Sequence, residues 1–207
     1  MGGGRHRRGV VAVSTVLLHR EGPVAWITLN RPEAMNSLTA EMGERLTDAW
    51  REVESDPEVS VAVVLGAGER AFCAGVDLAE LERDPAEQRD LTGFDASHPV
   101  LAKPLVAAVR GYALGAGCKL AMCADVILAS PDTRFGYPEA RVGLLGDADF
   151  VHRPLRQLPR REATATLLGG RRLNADRALQ LGLVTEIVDP SALVAEARTW
   201  AGEIARI

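Results

Sequence analysis

Two segments of this chain share a design suited to holding a carbonyl oxygen on backbone amides. Each has a buried strand, a glycine-bearing turn, and then a helix whose first N–H groups lack intrahelical partners. In the first, Val61 to Leu65 leads through Gly66-Ala67-Gly68 to Ala71-Phe72-Cys73-Ala74-Gly75-Val76-Asp77-Leu78. In the second, Leu105 to Val109 leads through Gly111-Tyr112-Ala113-Leu114-Gly115-Ala116-Gly117 into Cys118 to Ala124. Two such turns side by side can aim two amides at one oxygen and stabilise the negative charge of an oxyanion or enolate. Each glycine cluster alone is explained equally well by close packing of a turn against a strand. The pair together carries the signal.

The elements that must position these turns follow from hydrophobic periodicity. Val16-Leu17-Leu18 and Val24 to Leu29 are β-rich runs separated by Arg20-Glu21-Gly22-Pro23, which predicts a hairpin. From Thr39, a suitable N-cap, Met42, Leu46, Ala49, Trp50 and Val53 fall at helical spacing, and the pattern stops at Ser55-Asp56-Pro57. Buried strands are expected at Val59 to Leu65, Leu105 to Val109 and Asp125 to Ala129, with a helical stretch between the last two, which is βαβ logic. Helices follow at Arg161 to Leu168, Asn174 to Leu181 and Pro190 to Ala205, the last with Asp189 as cap and Pro190 at the first helical position. A strand at Leu183 to Val188 lies between them. The charged stretch Leu81 to Pro99 reads as a long surface loop or broken helix.

Composition narrows the function classes. The 207 residues are 47% hydrophobic and 25% charged, the profile of an ordinary globular chain. With 24 Lys+Arg against 28 Asp+Glu there is no global basic field for nucleic acid or an anionic membrane, and neither is an expected partner. The run Val10 to Leu18 is interrupted by Ser14 and Thr15 and falls short of the roughly 20 residues a membrane-spanning helix requires. Cys73, Cys118 and Cys123 fit neither a zinc pattern nor a disulfide framework, so a reducing cytosol is the expected compartment. His6, His19, His98 and His152 have no mutual spacing for a metal, and none is expected. Trp26, Trp50 and Trp200 read as core or interface packing.

Several stretches resemble the crotonase, or enoyl-CoA hydratase/isomerase, superfamily. They are Leu29-Asn30-Arg31-Pro32-Glu33-Ala34-Met35-Asn36-Ser37-Leu38, Ala71 to Leu78, Lys103 to Ser130 (KPLVAAVRGYALGAGCKLAMCADVILAS), Phe135-Gly136-Tyr137-Pro138-Glu139 and Leu181-Gly182-Leu183-Val184. The likeness runs from about Val16 to Ile207. It implies an α/β fold with a repeated ββα spiral core and surrounding helices, over residues 14–207, preceded by a disordered extension at residues 1–13. It implies an acyl-CoA thioester as substrate, held in a bent pose, and no cofactor beyond the coenzyme A of that substrate. The oxyanion donors implied are the backbone N–H groups of Val76 and Ala116, with Ala74, Gly75, Asp77, Leu78, Gly115 and Gly117 lining the thioester site and Arg31 at the CoA phosphates. Ala79 stands where other members often carry a phosphate-binding Lys.

The departures bear on the reaction. Family hydratases activate water with two glutamates, and those positions fall at Lys119 and Glu139. An ammonium cannot take a proton from water, and near Glu139 it is expected to favour the carboxylate and lower its pKa. Asp147 falls where several isomerases, a dehalogenase and the 3-hydroxyisobutyryl-CoA hydrolases have a catalytic aspartate, so the resemblance implies catalytic roles for Glu139, Asp147 and Lys119. Gly146-Asp147-Ala148-Asp149-Phe150 replaces a glycine-rich family loop, and Pro154 is expected to interrupt the helix after it unless the helix starts there. The family's C-terminal helices, which cover the site and build a trimer or hexamer, have no counterpart in the sequence, which predicts an uncovered apolar strip or an altered assembly. The reading is therefore double-bond isomerisation slightly favoured over hydration. Its rivals are 3-hydroxyacyl-CoA thioester hydrolysis and a non-catalytic CoA-binding or truncated family member.

Overall fold

The computed structural model describes residues 14–81, 91–94, 101–144, 146 and 148–207. The expected N-terminal extension, most of the Leu81 to Pro99 loop, and Asp147 lie outside the described residues. Strands β1 (Val16–Glu21) and β2 (Val24–Leu29) form the expected antiparallel hairpin. Beside β2 run β3 (Val61–Gly66), β5 (Leu105–Val109), β7 (Val126–Ala129) and β10 (Glu186–Ile187), all parallel, completing a six-stranded sheet in the order β1-β2-β3-β5-β7-β10.

The central strands read as continuous apolar runs because both faces of this sheet are covered. Along β2, β3 and β5, Ala25, Ile27, Leu29, Ala62, Val64, Leu105, Ala107 and Val109 point into one core cluster. The alternating residues Val24, Trp26, Val61, Val63, Val106 and Ala108 point into a second cluster. Helix α7 (Leu193–Ile204) covers that second face with Leu193, Ala197 and Ala201. Helix α1 (Ala40–Ser55) buries Met42, Leu46, Trp50 and Val53 on the other side, and the Thr39 hydroxyl accepts from the Met42 N–H as the expected cap.

Hydrophobic periodicity did not disclose the strands of a second sheet. Four three-residue strands, β4 (Ala71–Cys73), β6 (Tyr112–Leu114), β8 (Arg134–Gly136) and β9 (Arg172–Asn174), pair in that order, with only β9 antiparallel. Their inner face presents Phe72, Ala113, Phe135 and Leu173 to the first cluster. Between β4 and β5 lies the short helix α2 (Leu78–Leu81), and between β6 and β7 the helix α3 (Ala116–Met122). Then come α4 (Ala148–Gln157), α5 (Arg160–Gly169) and α6 (Ala175–Gln180), the last capped by the Asn174 side chain.

Two expectations about helix ends are corrected. Pro154 does not stop α4, which runs through it and gives up only the N–H that proline lacks. Asp189 does not cap α7: its carboxylate binds the Ser191 N–H at 2.8 Å and hydroxyl at 2.5 Å, holding a turn that delays the helix to Leu193.

Asn36 ties the site's surroundings together. It is fully buried in the left-handed region at φ 54°, a conformation asparagine tolerates. Its side-chain oxygen accepts from the Arg31 N–H at 2.9 Å, and its amide donates to the Ala67 and Ala71 carbonyls, each at 2.9 Å. Asn36→Ala strands one buried donor and two acceptors, and we expect a loss of about 3 kcal/mol of stability in urea titration. A loss under about 1 kcal/mol would show that water takes over these bonds.

Candidate functional site

Strand β6 ends at Leu114, and Gly115 turns the chain into α3. Gly115 stands at φ 54°, ψ −122°, a conformation that side chains rarely adopt, and its N–H donates to the Gly136 carbonyl at 2.8 Å. The first amides of α3 therefore face outward from the turn, Lys119 N–H being the first to close a helical bond, to the Gly115 carbonyl at 2.9 Å. No acceptor among the described residues takes the Ala116 N–H.

The partner amide is freed by a different device from the helix start expected. After β4, Val76 forms an isolated parallel bridge with Leu38. Leu38 N–H donates to the Gly75 carbonyl at 2.8 Å, and Asp77 N–H to the Leu38 carbonyl at 2.9 Å. Alternation along such a bridge turns the Val76 N–H away from Leu38, and no acceptor among the described residues takes it. The two turns touch: a Cβ on Gly75, at φ 99°, would lie 2.9 Å from the Leu114 carbonyl oxygen and 3.7 Å from the Ala116 nitrogen. Gly117 backs onto the Cys73 carbonyl, and Ala74 N–H donates to the Met35 carbonyl at 3.0 Å.

Glu139 completes this constellation. It opens a single 3₁₀ turn, Glu139–Arg141, and its Oε1 occupies the space that a side chain at Gly115 would need. Its Oε2 is buried and has no hydrogen-bond partner among the described residues. Burial pushes the carboxyl up to about 7, against a small opposing pull from its own backbone N–H. The expectation that Lys119 would lower this pKa is thus corrected: burial raises it, and the opposing pull comes from the residue's own backbone N–H. Lys119 itself is 2% exposed on α3, one helical turn beyond Gly115. Asp147 cannot be placed, being outside the described residues.

The other expected residues sit at the rim. Arg31 and Asp77 pair with each other, both guanidinium nitrogens lying 3.2 Å from Asp77 Oδ2, and Arg31 also donates to the Ser37 carbonyl at 2.6 Å. Leu78 is 53% exposed beside them. Sequence reading missed the packing of Tyr137, two residues before Glu139. Tyr137 is buried, its hydroxyl donates to Met122 Sδ at 3.3 Å, and its ring meets Phe150 edge-on at 4.5 Å. Asp149 holds Arg153 at 2.7 Å within α4. The thiols of Cys73 and Cys118 are pushed up to about 12 by burial, so neither is a nucleophile at neutral pH. No group of three or more His, Cys, Asp or Glu among the described residues could hold a metal ion. No helix among them is long and apolar enough to cross a membrane.

With this geometry in view, comparison with known proteins is decisive about family. The family model described as enoyl-CoA hydratase/isomerase matches residues 19–207. The (E)-benzylidenesuccinyl-CoA hydratase of Thauera aromatica is 40% identical over 195 residues, covering 92% of this chain and 76% of that protein. The short-chain-enoyl-CoA hydratase of Clostridium acetobutylicum is 36% identical, covering 93% and 76%. A carnitinyl-CoA dehydratase structure from Mycobacterium avium superposes with a TM-score of 0.86 at 36% identity, covering 94% of this chain and 78% of that one. The chain belongs to the enoyl-CoA hydratase/isomerase family of the crotonase superfamily, an enzyme family with this α/β fold.

Proposed function

We propose that the chain acts on an enoyl-CoA thioester, with the Val76 and Ala116 amides receiving the thioester oxygen and Glu139 moving the proton. The observation that carries this reading is the Glu139 carboxyl, half-buried against Gly115 with its Oε2 enclosed, and raised to about 7. A carboxylate with that pKa is a stronger base than an exposed glutamate and can return the proton near neutrality. The thioester oxygen gains negative charge as the α or γ proton leaves, and amides already in place stabilise it without reorganisation. One carboxylate is enough to carry a proton between C2 and C4, so double-bond migration remains favoured over hydration. Asp147 enters this proposal as a second carboxylate for the same shuttle, from the resemblance alone.

Hydration on a single carboxylate is the second reading, favoured by the names of the relatives, which are hydratases and a dehydratase. Proton NMR of a 3-enoyl-CoA in deuterated buffer separates the outcomes. Migration of the double bond with exchange at C2 or C4 is the expected result. Water addition to the 2-enoyl isomer supports the second reading, and thioester cleavage would replace both with hydrolysis. No reaction by folded protein would leave a CoA-binding role. In the same assay Lys119→Glu, which restores a second carboxylate, should raise hydration about tenfold or more. An unchanged hydration rate would show that Lys119 is not what limits it.

A further inference from the structure

The outer face of the small sheet carries a second feature, which shares no residue with the site described above. Tyr112, Arg134 and Arg172 stand on β6, β8 and β9, and with Glu162, Arg171 and Arg177 they line a cavity of about 560 Å³. Four guanidinium groups meet one carboxylate there, and Glu162 is paired with Arg177. Arg134 reaches only backbone carbonyls, those of Thr133 at 2.7 Å and Pro131 at 3.3 Å, through one terminal nitrogen. The Arg172 guanidinium carbon lies over the Tyr112 ring, 5.2 Å from its centroid. Arg171 has no side-chain acceptor among the described residues.

Among the described residues Arg134, Arg171 and Arg172 have no carboxylate partner, and three guanidinium groups converging on one cavity repel each other, a repulsion that a bound anion would relieve. Their planar forks suit the oxygens of phosphate better than a point charge would. The volume falls in the range of small-molecule sites and far exceeds a single phosphate ion.

We infer that this cavity binds a small ligand carrying linked phosphate groups, held by Arg134, Arg171 and Arg172. Such groups come either as inorganic pyrophosphate or on a nucleoside diphosphate, so both serve as probes. Calorimetric titration of the full chain with pyrophosphate and with ADP should show saturable binding that weakens as salt is raised. Arg172→Gln and Arg171→Gln should each weaken it about tenfold, the worth of one charge-assisted contact. Equal affinity for both probes identifies the phosphates as the whole determinant, and tighter ADP adds a nucleoside subsite.

Arginine Nε–H resonances locate the site, with shifts expected at Arg134, Arg171 and Arg172. Shifts confined to Arg31 would overturn the proposal by assigning the anion to the thioester site. Absence of saturable binding at low salt, or affinity indifferent to both substitutions in folded protein, would overturn it as well.

Discussion

Glu139→Gln lowers turnover of an enoyl-CoA substrate by about 10²- to 10⁴-fold, the contribution of a positioned acid–base group, while KM changes little. The wild-type pH profile reports the same carboxyl. It must be ionised to accept a proton, so kcat/KM rises as pH passes through about 7. A profile flat between about pH 5 and 9 would remove Glu139 as the base.

Stability moves in the opposite direction. Unfolding returns the carboxyl to its ordinary value of 4.5, so between 4.5 and about 7 the folded state holds the extra proton. The stabilising contribution is complete below 4.5 and is lost as pH rises through about 7. A neutral amide of the same shape escapes this penalty. Glu139→Gln should therefore melt a few degrees above wild type near pH 8, with the two curves converging near pH 4.5. A variant that is both inactive and less stable at high pH would point instead to damaged packing.

Gly115→Ala removes about 10²-fold or more of the activity through position alone. The added Cβ collides with Glu139 Oε1, and the backbone at φ 54°, ψ −122° costs about 1–3 kcal/mol for any residue with a side chain. The carboxylate must swing away, or the turn bearing the Ala116 amide must open. A double-mutant cycle distinguishes the two. If Gly115 acts by making room for Glu139, adding Gly115→Ala to Glu139→Gln costs little further rate. Fully additive losses would assign the effect to the amide.

How far the sequence discloses this site depends on the length of each element. Leu105–Val109 and the Thr39-capped helix show their periodicity over enough residues to be read directly, and the structure has both. Arg134-Phe135-Gly136 and Arg172-Leu173-Asn174 are too short to display a period of two, so periodicity does not disclose the sheet whose strands lead into Gly115 and Glu139. The Val76 N–H has no acceptor among the described residues, but the bridge to Leu38 that frees it joins positions far apart in sequence, and only packing reveals it. The direction of the Glu139 shift was misread for a related reason. Lys119 is visible as a charge in the sequence, whereas the partial burial of Glu139 depends on its carboxyl packing against Gly115, which only the fold brings about.

The cover that α7 gives the main sheet bears on how the chain comes to be folded during synthesis. Val61, Val63, Val106 and Ala108 leave the ribosome long before Leu193, Ala197 and Ala201, the residues that shield them. For that interval two adjacent parallel strands, VAVVLG and LVAAV, present a bare apolar face rich in β-formers. Parallel pairing over such sequence separations is slow, so this interval is when self-association competes with folding. Yield in a cell should therefore depend on chaperone supply and growth temperature more steeply than the stability of the finished fold implies.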